Sequence, residues 1–262
     1  MILMIRAVYS GLCASAAALL GVGLATPHFN RLARRAASFL FPREVAPSQD
    51  TLADRRRRHD MVREQLIARG VTNPHVLRAM ARVPRHLFLS DAQRLEAYSD
   101  NALSTGERQT ISQPLIVAVM TDSLDVHINH RVLEIGTGTG YQTAILAMLA
   151  DHVYTIERFA SLSNEAHARL AALGLHNVDY RVGDGSQGWP EHACFDRIMV
   201  TAAAPGVPEP LLKQLAERGV LVIPTGDRAS QMLKRISYEG GRVYEKDVLA
   251  CRFVPLIGSH GW

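Results

Sequence analysis

Residues Val132–Ala144 read VLEIGTGTGYQTA, and this stretch decides the fold. An apolar run broken by one acid, Glu134, passes without a spacer into glycines, and a helix-forming run follows. A strand that turns through glycine straight into a helix is a ligand-binding corner of an open α/β sheet. Glycine permits positive φ and close approach of a ligand to the backbone, and the helix start presents free N–H groups. The spacing then separates cofactor classes. A dinucleotide corner carries G-x-G-x-x-G, whereas Gly136, Gly138 and Gly140 give G-x-G-x-G.

With Glu134 two residues before the first glycine, the corner resembles the first motif of S-adenosylmethionine (AdoMet) methyltransferases. That resemblance implies a nucleoside and a methionine tail over the glycines in place of a pyrophosphate. The following strands agree. HVYTIER carries Glu157 about 20 residues beyond the turn, where in this fold class an acid accepts hydrogen bonds from ribose hydroxyls. VDYRVGDGSQGW sets Asp184 between Gly183 and Gly185 at the end of a third strand, placed to meet the adenine edge. Loops at the carboxyl ends of consecutive strands are where an open α/β sheet binds its ligand.

Working outward, RVLEI, HVYTI, VDYRV, FDRIMVT and GVLVIP are short β-rich runs. YQTAILAMLA, FASLSNEAHARLAAL and PEPLLKQLAER are helical stretches among them. The alternation predicts a mostly parallel sheet with helices on both faces. MLKRISYEG and GRVYEKDVLACRFV, separated by Gly240-Gly241, predict a closing hairpin. Upstream, Asp54 is expected to cap a helix through Ala68, with Met61, Val62, Leu66 and Ile67 inward and Gly70 ending it. The run Arg55–Arg58 then forms a solvated face. Asn73 and Pro74 open a second helix with Val76, Leu77 and Met80 buried.

Residues 1–50 are an N-terminal extension, and residues 51–262 are the catalytic domain. Ala7–Ala25 holds no charge and is followed by Arg31, Arg34, Arg35 and Arg43. A loose tail, a weak membrane anchor and a cleaved signal all fit it. If it spans, the arginines keep the rest of the chain cytoplasmic. Residues 1–60 hold nine arginines against four acids, so of the overall +4 the rest of the chain carries −1. This balance argues against a nucleic-acid partner. Cys13, Cys194 and Cys251 form no framework. His127 and His130 are turn histidines without a third ligand, so no metal is expected.

The stretch ERQTISQPLIVAV, Glu107–Val119, places Ser112 just before Pro114. Three readings stand: a helix cap, a nucleophile, or a donor that holds a substrate. No G-x-S-x-G elbow supports a hydrolase serine.

From about Arg57 to Gly258 the chain resembles the protein-L-isoaspartate (D-aspartate) O-methyltransferases. The likeness rests on VPRHLF, QTISQP, VLEIGTGTGYQTAILA, VYTIER, GDGSQGW, FDRIMVTAAAP, VLVIPTG and RFVPL. It departs at STGERQ, where Ser104, Thr105 and Arg108 replace residues of the family's usual run. The resemblance implies a seven-stranded methyltransferase sheet with N-terminal helices over the active site, AdoMet as cofactor, and a monomer. It implies methylation of the isoaspartyl carboxylate in damaged proteins, the first step of their repair. It puts Ser112 at the active-site serine position, and Glu134, Gly136, Gly138, Gly140, Glu157, Asp184 and Gly185 at AdoMet positions. Two alternatives remain: a methyltransferase of a small molecule or RNA, and a membrane-tethered AdoMet-binding module without efficient catalysis.

Overall fold

The computed structural model describes residues 49–262. The apolar run Ala7–Ala25, Cys13 and the side chain of Arg108 lie outside the described residues. Helix α1 (Leu52–Met61) opens with a capping box. Thr51 is the cap, accepting from the Asp54 amide at 3.1 Å, and the Asp54 carboxylate answers by accepting from the Thr51 amide at 3.2 Å. Asp54 therefore sits three positions inside the helix that it was expected to cap. Beyond Met61 the chain widens into a π-turn, Val62–Leu66, then tightens into a 3₁₀ turn, Ile67–Arg69. The wider turn rotates the residues after it, and Ile67, expected inward, is 50% exposed. Gly70, at φ 89°, ends the element.

The arginine run is not uniformly solvated. Arg58 is buried and forms a two-pronged pair with Asp50, both distances 2.9 Å. It also donates to the Ala81 carbonyl and the Tyr98 hydroxyl. His86 joins the cluster through the same hydroxyl at 2.7 Å. Asp50 thus packs against the body of the domain. Helix α2 (Pro74–Arg82) begins as its sequence requires, with the Asn73 side chain accepting from His75 and Val76. Val76 and Met80 are buried, and Leu77 is half-buried.

A two-stranded hairpin, β1 (Leu103–Ser104) and β2 (Thr110–Ile111), precedes α3 (Pro114–Leu124). The main sheet holds β3 (Arg131–Ile135), β4 (His152–Glu157), β5 (Val178–Val182), β6 (Phe195–Val200), β7 (Leu215–Gly226), β8 (Gln231–Glu239) and β9 (Arg242–Cys251). Their order is β5-β4-β3-β6-β7-β8-β9. β3 to β7 run parallel, while β8 and β9 pair antiparallel as the expected hairpin. The order reverses at β3, so the loops after β3 and β6 diverge and leave a crevice at the strands' C-terminal ends.

Alternation along the strands divides the core. Val132, Val153, Met199 and Val222 face α3, α4 (Tyr141–Leu149) and α5 (Ala160–Ala172). Leu133, Ile156, Ile198 and Leu221 face the other side, covered by α6 (Glu209–Lys213), Trp189 and Leu256. The helix expected over PEPLLKQLAER is this short α6 alone. Leu215 already belongs to β7, which is irregular around Arg218 at φ 62°.

Asp50→Ala strands a buried guanidinium, a loss of about 3 kcal/mol in unfolding free energy. Denaturant midpoints should show it, and a chain beginning at Gln49 should outlast one beginning at Thr51 by a similar margin. Equal midpoints would mean the pair contributes nothing.

Candidate active site

The crevice is a cleft of about 880 Å³ between the glycine turn, the segment Asp100–Gln113 and the C-terminal run Ala250–Ile257. Gly136, Gly138 and Gly140 take φ of 96°, 54° and 90°. Each answers a different neighbour. A Cβ on Gly136 would stand 2.3 Å from Thr201 Oγ1, and one on Gly140 would stand 2.8 Å from Leu170. A Cβ on Gly138 would meet nothing within 4 Å. Gly136 and Gly138 line the cleft, whereas Gly140 serves the packing of α4 on α5.

Glu157, at the end of β4, is 5% exposed and lines the cleft. Its carboxylate accepts from the Gly138 amide at 2.9 Å and from the Phe159 amide at 3.1 Å. Each oxygen keeps a lone pair for a ligand hydroxyl. Gly185 also lines the cleft, and a Cβ there would lie 2.4 Å from Ile135, so only glycine lets this loop close on β3.

Two other sequence-derived residues stand elsewhere. The Asp184 side chain is absent from the cleft lining. Its carboxylate is filled by Ser186, Gln187 and Ser259, with the Ser259 amide at 2.8 Å. Burial alone would raise its pKa, but these donors prevail and hold it well below the usual carboxylate range. Asp184 therefore staples the C-terminal turn that carries the cleft wall. Glu134 lies under the turn and is 0% exposed. Its Oε2 accepts from the Thr143 and Thr155 hydroxyls at 2.6 and 2.7 Å. Alternation along β3 explains this: Ile135, not Glu134, faces the cleft.

Ser112 lines the cleft, half-buried, between β2 and α3. It is not the cap of α3. Pro114 takes the first helical position, so Gln113 is the cap residue, without a side-chain cap bond. The Gln113 amide instead donates to Asp100 at 2.8 Å, and Asp100 pairs with Arg69 at 2.5 Å. This clamp fixes the turn that presents the Ser112 hydroxyl, which bonds to no group among the described residues. Among the described residues no histidine or lysine lines the cleft to activate Ser112 as a nucleophile.

Sequence reasoning missed several lining residues. Thr201 follows β6 and donates to the Gly136 carbonyl at 2.7 Å. Phe159 lines the cleft two residues past Glu157. Cys251, Arg252 and Phe253 form a wall, and Gln231 bonds the Phe253 amide at 2.7 Å. RFVPL was the visible signal for that wall, but it carried no assigned role. Burial pushes the Cys251 thiol up to about 11, so it stays protonated at neutral pH. His130 accepts from the His127 amide within a turn, at 3.0 Å.

Burial raises the Glu134 carboxyl to about 8, against the pull of its two hydroxyl donors. An acid raised on folding contributes stability that is complete below its unfolded pKa and is lost as pH rises through the folded one. E134Q cannot ionise. Its Tm relative to the wild type should therefore climb from about pH 4.5 to about 8 in the cofactor-free protein and level off above that. A difference that ignores pH would mean the carboxyl is ionised throughout.

A family model described as Protein-L-isoaspartate(D-aspartate) O-methyltransferase matches residues 56–261. A Protein-L-isoaspartate O-methyltransferase of Trichlorobacter lovleyi is 54% identical over 206 residues, covering 78% of this chain and 95% of its own. Another, from Methanoregula boonei, is 50% identical over 210 residues, covering 80% and 96%. A solved protein-L-isoaspartate O-methyltransferase superposes with a TM-score of 0.70 at 28% identity, covering 79% of this chain and 67% of its own. A Plasmodium falciparum structure described with S-adenosyl-L-homocysteine has a TM-score of 0.67 at 24% identity, covering 76% and 98%, and speaks to the fold. Agreement at this identity along nearly the whole of its relatives means that the chain belongs to the protein-L-isoaspartate (D-aspartate) O-methyltransferase family.

Proposed function

We propose that this cleft methylates the carboxylate of L-isoaspartyl and D-aspartyl residues in damaged proteins, and that Ser112 aligns that carboxylate. The observation that carries the roles is one cleft holding both a glycine turn braced on Glu157 and a serine hydroxyl that no protein group claims. AdoMet fits the residues present. Gly138 leaves the turn open, and Glu157 keeps acceptor capacity for ribose hydroxyls. When bound, the cofactor supplies a methyl group on a sulfonium.

The protein's share is placement. A substrate carboxylate with a pKa near 4 is already ionised at neutral pH, so no general base is needed. Ser112 donates to one carboxylate oxygen and leaves the other free to attack. The two walls hold the peptide and exclude water. We place the activity in the cytoplasm and in a monomer, with residues 1–50 contributing at most a weak membrane contact. The arginines behind Ala7–Ala25 support that side of the membrane.

Labelled methyl transfer to an isoaspartyl peptide, run against its aspartyl twin, tests the reaction. Base-labile label on the isoaspartyl peptide alone is expected, and stable label on RNA or a small molecule would redirect the assignment. Glu157→Ala should weaken AdoMet by about 1–3 kcal/mol, through the lost acceptor and the unbraced Gly138 amide. Calorimetry with unchanged affinity would remove Glu157 from the cofactor site. Ser112→Ala should slow turnover at least about tenfold, or about 1.4 kcal/mol of transition-state stabilisation. Its AdoMet affinity and Tm should stay near wild type. Normal turnover in that variant would remove Ser112 from the reaction.

A further inference from the structure

A polar cluster that the reaction does not use lies beneath the glycine turn. Glu134 on β3, Thr155 on β4 and Tyr180 on β5 are in register across three neighbouring strands, so their side chains share one face. Thr143 of α4 bonds to the Glu134 end of this row. Glu134 Oε1 is buried without a partner, and so is the Tyr180 hydroxyl.

Among the described residues no cation compensates the acid. Glu157 on β4 adds only like charge, and Tyr180 on β5 is neutral, its pKa raised above the ordinary value first by burial and then by Glu134. Met199, the β6 neighbour in register, and Thr143 on α4 are uncharged. From α5, His167 stacks on the Tyr180 ring at 4.7 Å, and Arg169 is occupied by Glu165 and the Thr139 carbonyl. An unpaired carboxylate buried in this way is costly, and the group keeps its proton instead. The cluster also reaches the cleft. The Thr155 hydroxyl bonds to the Thr137 hydroxyl at 2.6 Å, and Thr137 lines the cleft beside Gly136 and Gly138.

We propose that Glu134 is a proton-linked positioning residue, which carries a proton in the cofactor-free protein and gives it up to solvent when the positively charged cofactor settles on the glycine turn. The carboxyl O–H bond breaks, the proton passes to buffer, and the new negative charge answers the cofactor's positive one. The Thr143 and Thr155 hydroxyls already donate to this carboxyl, with Thr137 bonded to Thr155 behind them, and the full negative charge strengthens those bonds and stiffens the turn from below. The inference rests on AdoMet being the cofactor. The rise of the carboxyl to about 8 agrees with a group poised to titrate near neutrality.

Calorimetric titration of the wild-type chain with AdoMet, in buffers of different ionisation enthalpy, reads the proton directly. Binding should release a large fraction of a proton near pH 7. Affinity should rise with pH below about 8, by up to about tenfold per unit. E134Q supplies the reference, because the cofactor's own ammonium group also titrates; its buffer dependence and pH slope should be smaller. Infrared difference spectra of the wild type need no variant, and the carbonyl band of a protonated carboxyl should fade when AdoMet is added. A persisting band, or a pH slope unchanged in E134Q, overturns the proposal. Failure of the wild type to bind AdoMet at any pH overturns the cofactor reading itself, and this inference with it.

Discussion

One hydrogen bond, from the Gly138 amide to the Glu157 carboxylate, ties the turn after β3 to the end of β4, and the site is built around that tie. It holds only because three glycines adopt positive φ in five residues. Each frees a different approach: Gly136 admits Thr201 from the end of β6, Gly140 admits α5, and Gly138 stays open to the cleft. A side chain at the first would push β6 from β3, and one at the last would push α4 from α5. The corner therefore both lines the cleft and brings three strand ends and two helices to contact distance. Fold and function share one constraint here, and neither can be relaxed alone.

The rest of the cleft hangs on side chains that hold backbone. Gln113 grips Asp100, Asp184 grips Ser259, and Gln231 grips Phe253. Such clamps give a wall a defined position without burying it, which suits a site that must admit a protein-borne substrate.

These clamps also mark where sequence reading stopped. The strands, the glycine turn and the position of Glu157 at the end of β4 were legible because hydrophobic period and glycine spacing are local. Asp184 looked like an adenine ligand because its partner, Ser259, lies 75 residues away and leaves no mark on the local pattern. Glu134 was grouped with the ligands because it adjoins the glycines, although strand alternation turns it away from the cleft. Ser112 read as a possible cap until Pro114 was seen to shift that position to Gln113. Arg58 looked solvated within a charged run, but Asp50 and the distant Ala81 and Tyr98 hold it buried.

Some of the buried polar atoms left without partners lie beside the start of α4. Tyr141, the first residue of α4, stacks under the Arg85 guanidinium at 4.9 Å, and both Arg85 terminal nitrogens are buried and unbonded. Two residues further along, Thr143 meets Glu134, whose second oxygen is also unbonded. Burial moves the two groups toward neutrality from opposite sides, to about 10 for the base and about 8 for the acid. At neutral pH the base stays charged and the acid does not. The start of α4 is thus left with net positive character on its Arg85 side and an uncharged carboxyl on its Glu134 side. A core selected for stability alone would replace both with apolar residues of similar volume. Both groups instead leave buried polar atoms beside the turn that no described residue satisfies, a cost that the fold carries at this corner.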